Sequence, residues 1–169
     1  MAVLNPDHLL DQALLLVNAT PGRKPRQVNL RRAISSAYYA VFHQILTATA
    51  DEFVGKALRQ DSRHALLYRS IDHGAARRIC EEALRPGPTA KYRKFVPGSG
   101  FETHIRAFSS NFLSLQNRRH EADYDPSQLF TTVDAMFAIY LAKSALEEFA
   151  SSSADGRKLF LTLMVFPPR

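Results

Sequence analysis

The stretch that most constrains this chain runs from about residue 27 to residue 49. Leu30, Ile34, Ala37, Tyr38, Val41, Phe42 and Ile45 recur there at three- and four-residue intervals. Side chains on a strand alternate between two faces, so a stripe of this length and spacing forms only on a helix. The chain is therefore organised around one long central helix. Tyr39 and His43, four residues apart, lie on an adjoining strip of that helix.

The flanking segments supply its partners. Asn5 and Pro6 form a helix start, because Asn caps free amides and proline fills the first turn at no hydrogen-bond cost. The first helix is expected over about residues 6–18, ended by Thr20-Pro21-Gly22 and followed by a basic linker with Arg23, Lys24 and Arg26. Residues 51–63 are polar and interrupted by Gly55, which predicts an irregular connection with a short helical turn. Leu66, Leu67, Ile71, Ala75, Ile79, Cys80 and Ala83 predict a third helix over about 62–84. His64 and His73 lie nine residues apart, off the three-or-four spacing of helical metal pairs, and read as surface or packing residues. Prolines and glycines at both ends make residues 85–100 a long loop. A fourth helix covers about 101–120. Asp125-Pro126-Ser127-Gln128 resembles a capped start for a fifth, running to about 151 with Phe130, Val133, Phe137, Tyr140, Leu141 and Ser144 as its buried stripe. The apolar tail, residues 159–166, is too short for a membrane span and is expected as a strand or extended arm, docked on its own bundle or on a second subunit. The fold class is all-α: an antiparallel bundle of about five helices over residues 1–153 with an appended tail, 154–169.

At 169 residues the chain can bury a single core without staples. The lone cysteine, Cys80, excludes an internal disulfide and reads as a small buried hydrophobe. With no signal-peptide pattern and no apolar span, the expected location is the cytoplasm. A formal charge of +6 and a pI near 9.7 suit a polyanionic partner, although soluble proteins without one often carry a similar excess. Arg31 and Arg32, close behind the basic linker, have the wrong sign for a helix N-terminus, so either an anion or acidic partner neutralises them or they form a solvated edge. In the loop, Lys91, Arg93 and Lys94 interleave with Tyr92 and Phe95. Such a run can grip phosphates and stack on bases, or it can be a solvated loop anchored by Phe95. His-Glu-x-x-His, Glu-x-x-His, Walker and Gly-x-Gly-x-x-Gly patterns are all missing, so no metal or cofactor is expected.

Chemistry concentrates where the fourth helix ends. Ile105, Phe108, Phe112 and Leu115 form an apolar stripe, and its next step is Arg119. A guanidinium cannot shed its charge, so a carboxylate, another subunit or a phosphate must meet it. Asp123, one turn on, is the candidate carboxylate. His120 projects about 100° round the helix from Arg119.

Two segments together resemble the HEPN family of helical bundles (higher-eukaryote and prokaryote nucleotide binding). The first is residues 30–43, with Tyr38-Tyr39-Ala40-Val41-Phe42-His43. The second is Arg118-Arg119-His120-Glu121-Ala122-Asp123-Tyr124, similar to an Arg-x-x-x-Ala-Asp-Tyr signature of small bacterial and archaeal members. The resemblance spans about residues 5–151. It implies a homodimer acting on RNA or nucleotides, related to toxin–antitoxin ribonucleases, with an antitoxin or nucleotidyltransferase as further partner. Arg119 would hold the scissile phosphate, and His120 or His43 would move protons, since Tyr124 stands where the family carries its catalytic His. A phenol with an ordinary pKa near 10 is a poor base at neutral pH. Arg31, Arg32, Lys91, Arg93, Lys94 and Arg118 would contact nucleic acid, and Tyr38, Tyr39, His43 and Asp123 would frame the motif. The alternative is a non-catalytic dimerisation or adaptor module.

Overall fold

The computed structural model describes residues 4–19, 22 and 24–169; Thr20, Pro21 and Arg23, expected at the end of the first helix and in the basic linker, lie outside them. Among the described residues there are seven α-helices and no strand. They are α1 (Pro6–Val17), α2 (Gln27–Phe53), α3 (Ser62–Tyr68), α4 (His73–Ala83), α5 (Thr103–Tyr124), α6 (Thr132–Ser151) and α7 (Ala154–Val165), with one 3-10 turn at Lys56–Leu58. None is long and apolar enough to cross a membrane.

Helix α2 is the axis of the bundle and touches α1, α3, α5, α6 and α7. Leu30, Ile34, Ala37, Tyr38, Val41 and Ile45 are buried along it. At about 1.5–3 kcal/mol for each large apolar side chain taken from water, this face alone explains why the rest of the chain collects round α2. Asn5 caps α1 as expected, its side chain accepting from the Asp7 amide at 3.0 Å. The first turn of α2 meets the last turn of α5, because Arg31 Nη1 donates to the Ala122 carbonyl at 2.7 Å. The two helices are thus antiparallel.

Five expectations are corrected. The segment 62–84 is two helices rather than one. Asp72 turns its carboxylate onto the Ala75 amide at 2.6 Å and starts α4 afresh, which lets Ile71 turn inward. The fifth expected helix, α6, starts at Thr132 rather than after Asp125. Thr131 and Asp134 make a reciprocal capping box, whereas Asp125 spends its carboxylate on a local turn with Ser127. Gln27 holds both the amide and the carbonyl of Phe130, and Arg31 Nη2 donates to the Asp125 and Gln128 carbonyls, so α2 secures the connection.

The buried face of α6 is also different. Ala135, Ala138, Ile139, Ala142, Ala145 and Phe149 face the core with Leu141, while Val133, Phe137 and Tyr140 face outward. Alanines allow a closer approach to the neighbouring helices than the bulkier stripe would.

The tail is helix α7, not a strand. Ser153 caps it by accepting from the Gly156 amide at 3.0 Å, and Glu102 in turn accepts from the Ser153 amide and hydroxyl. Phe160, Leu161, Leu163 and Met164 belong to the common core, with the Phe160 ring 5.7 Å from that of Phe108. A continuous apolar run fits a buried helix as well as a strand, and the cap decides between them. In the loop 85–100, Tyr92 and Val96 are the buried anchors and Phe95 is exposed.

Candidate functional site

The expected centre at the end of α5 forms one wall of a cleft of about 530 Å3. Gln116, Asn117, Arg119, His120 and Glu121 line it from α5, and His73 and Arg77 line it from α4. Helix α2 makes the floor behind Arg119. Arg119 Nη2 donates to the Tyr39 hydroxyl at 2.9 Å, and its guanidinium carbon lies 5.5 Å from the Tyr39 ring centre and 5.3 Å from that of Tyr124. The expected pairing with Asp123 is present, Nε lying 2.7 Å from Oδ2. The approach is too bent for a hydrogen bond, so the buried Nε–H has charge compensation but no hydrogen-bond acceptor. Asp123 is itself held by the Ser35 hydroxyl at 2.5 Å. Nη1 of Arg119 has no hydrogen-bond partner among the described residues, and the side chain is 16% exposed. Oriented, mostly desolvated and with donors unspent, this guanidinium suits a bidentate anion.

The second cation, Arg77, is braced by Glu81 at 2.8 Å and by the side-chain oxygen of Asn117 at 2.9 Å. Gln116 ties the walls together, its Nε2 donating to the His73 carbonyl at 2.9 Å.

His73 starts α4, and the cap from Asp72 fixes its position. Its ring lies 4.2 Å from Phe42 and 6.1 Å from Tyr39, centre to centre, and its Nδ1 shares a 2.7 Å hydrogen bond with the Tyr38 hydroxyl. Burial and then the Arg119 charge push the imidazole below its ordinary value of 6.5, opposed by Asp72, so it is neutral at pH 7. Burial raises the Tyr38 phenol well above its ordinary value, which keeps it protonated.

The other expected residues sit as follows. His120 is exposed on the rim, its ring 5.0 Å from that of Tyr124. His43 lies behind the cleft, stacked on Tyr39 and bonded through Nδ1 to the Tyr68 hydroxyl at 2.6 Å; burial and then the nearby His73 lower its pKa. Arg31 commits its donors to carbonyls of α5 and the connection after it, so its charge meets the negative end of that helix. Arg118 turns the other way, over the Phe137 ring at 4.8 Å. Arg32 is exposed at the start of α2. Lys91, Arg93 and Lys94 are exposed on the loop, and Lys91 borders a separate cavity with Arg78, Glu82 and Tyr92. The cleft thus unites Arg119 and His120 with two residues the periodicity did not single out, His73 and Arg77. The Asp72-His73 pair, a cap followed by an ionisable residue, was the available signal.

Among the described residues no three His, Cys, Asp or Glu side chains gather as a metal set. His64 is fully buried, its Nε2 3.1 Å from Asp51 Oδ1. Cys80 is enclosed, and burial pushes its thiol pKa well up, which makes it unreactive. Comparison of the chain with protein-family models, with curated proteins and with solved structures finds no match.

Proposed function

We propose that the cleft between α4 and α5 receives a phosphate group of an RNA strand or nucleotide, with Arg119 as the principal contact. The observation that carries this reading is the unspent Nη1 of a guanidinium otherwise held by Tyr39, Asp123 and three aromatic rings. Arg77 adds a second cation across the opening, and the neutral His73 adds polar surface without repelling an anion. The two segments that resemble the HEPN family meet at this point, through Tyr39 with Arg119 and Ser35 with Asp123.

The test is binding of labelled single-stranded RNA by the intact chain and by Arg119→Ala. Loss of an unscreened phosphate contact should weaken binding roughly tenfold or more, and the affinity of the wild type should fall with salt. Equal binding by both proteins, or binding indifferent to salt, overturns the reading.

One observation favours the second reading, a dimerisation or adaptor module. Leu129, Val133, Met136, Phe137 and Tyr140 form an outward apolar strip on and just before α6, with exposures from 42% at Met136 to 75% at Val133. At on the order of 500 Å2, such a strip falls in the range of functional patches and could form the apolar centre of an interface of about 800 Å2 per partner.

A further inference from the structure

A second cavity, of about 430 Å3, opens where the last turns of α2 and α6 meet the start of α7, and it shares no lining residue with the cleft. We propose that it binds a free amino acid with an apolar side chain, the carboxylate on Arg157, the ammonium on Glu52 and the side chain against Phe149 and Leu161. The proposal is independent of the phosphate-binding reading.

The charges of the wall select this class of ligand. Arg59 and Arg157 are matched there by Asp51 and Glu52, so a ligand of one sign is attracted by two groups and repelled by the other two. Asp51 is already spent. It accepts from Arg59 Nε at 2.9 Å and Nη2 at 2.5 Å and lies 3.1 Å from Nε2 of the buried His64, and the Arg59 hydrogen bonds hold its carboxyl below the usual carboxylate range. Glu52 and Arg157 are the pair left to a ligand. Glu52 Oε1 lies 3.2 Å from Lys158 Nζ, and its second oxygen has no partner among the described residues.

Arg157 turns Nη1 onto the Phe149, Ala150 and Ser152 carbonyls at the end of α6, which fixes the guanidinium. Its Nε and Nη2 have no hydrogen-bond partner among the described residues. These two nitrogens form one edge of the group, the edge that meets a carboxylate through two parallel hydrogen bonds. A zwitterion therefore satisfies Arg157 and Glu52 together.

The remaining wall fits the rest of an amino acid. Thr47 lines the cavity at only 7% exposure, and its enclosed hydroxyl has no hydrogen-bond partner. Buried hydroxyls are seldom left so, and a polar ligand head in the cavity supplies the partner. Phe149 and Leu161, both buried, add apolar surface to the same wall. The volume lies at the small end of the roughly 300–1,000 Å3 found for ligand cavities, which suits a single small molecule.

The test is calorimetric titration of the full chain with L-phenylalanine and L-leucine. Each should bind saturably, at one site per chain, in the millimolar range or tighter. N-acetyl-L-phenylalanine lacks the ammonium and phenethylamine lacks the carboxylate. Both should bind about ten- to hundredfold more weakly than L-phenylalanine, the range for a lost hydrogen bond to a charged group. Glu52→Gln keeps the shape of the side chain and should weaken L-phenylalanine by a similar factor. Ala150→Trp, at an exposed lining position, should block the cavity and leave the melting temperature of the free protein unchanged. Arg119→Ala should bind the amino acid as the wild type does. Absence of saturable binding by either amino acid overturns the proposal, and so does equal binding of the N-acetyl derivative or of phenethylamine. Wild-type affinity in Glu52→Gln or in Ala150→Trp, or loss of binding in Arg119→Ala, places the ligand elsewhere and overturns it as well.

Discussion

Tyr39, midway along α2, accepts a 2.9 Å hydrogen bond from Arg119, eighty residues later on α5. The bond joins the central helix to the helix that carries the candidate site, and it aims the guanidinium toward the cleft. Removing the hydroxyl while keeping the ring, in Tyr39→Phe, should destabilise the protein by about 0.5–1.5 kcal/mol in urea unfolding. In an Arg119→Met background the same change should cost clearly less, because the acceptor has already lost its donor. Strictly additive costs would mean the bond contributes nothing.

The C-terminal helix should prove part of the core. Phe160 is fully buried between Phe101 and Phe108, so Phe160→Ala should cost about 3–5 kcal/mol. Phe166 is 62% exposed with one edge-on contact to Phe53, and its truncation should cost no more than about 1 kcal/mol. Thermal or urea melts of the two variants distinguish an integral helix from a loosely docked arm, which would make both changes mild.

The outward strip of α6 should mediate self-association. Val133→Asp combined with Tyr140→Asp places charge at its two most exposed α6 positions without touching the core. Light scattering should show the wild type as a dimer and the double variant as a monomer that still unfolds cooperatively, with a melting temperature that no longer depends on protein concentration. A wild type that stays monomeric at high concentration rules out this face as a homodimer surface.

Stability should decline in acid in two stages. Burial lowers the pKa of His43 and His73 in the folded state, so the unfolded chain takes up protons first as pH falls. Their contribution is complete above about pH 6.5, the ordinary imidazole value, and is lost as pH drops through the lower folded values. Asp51, held down chiefly by hydrogen bonds from Arg59, adds a second loss beginning near its ordinary value of 3.8. Urea midpoints from pH 7.5 to pH 3 should trace both stages. His43→Gln should flatten the first and Arg59→Met the second, and an unchanged slope in either variant would contradict its assignment.

Periodicity and capping residues alone determined the all-helical class, the central α2, the Asn5 cap and the presence of an arginine at the end of the α5 stripe. Each is a short-range property: a 3.6-residue repeat or a side chain reaching its own backbone. The pairing of Arg119 with Asp123, one turn apart, was legible for the same reason. Packing decided the rest. Which side of α6 faces inward depends on how closely α2 and α5 approach, and that distance selects the alanines over Val133, Phe137 and Tyr140. Whether residues 159–165 form a strand or a helix depended on Ser153 and Glu102 meeting across the bundle. The break at Asp72 reshaped the site most. It starts α4 at His73 and turns that residue, unremarkable in a linear reading, toward Arg119. Residues 73 and 119 share a cleft because α4 packs directly on α5 while the Tyr38, Tyr39 and Phe42 rings of α2 back both side chains, a relation that no local pattern encodes.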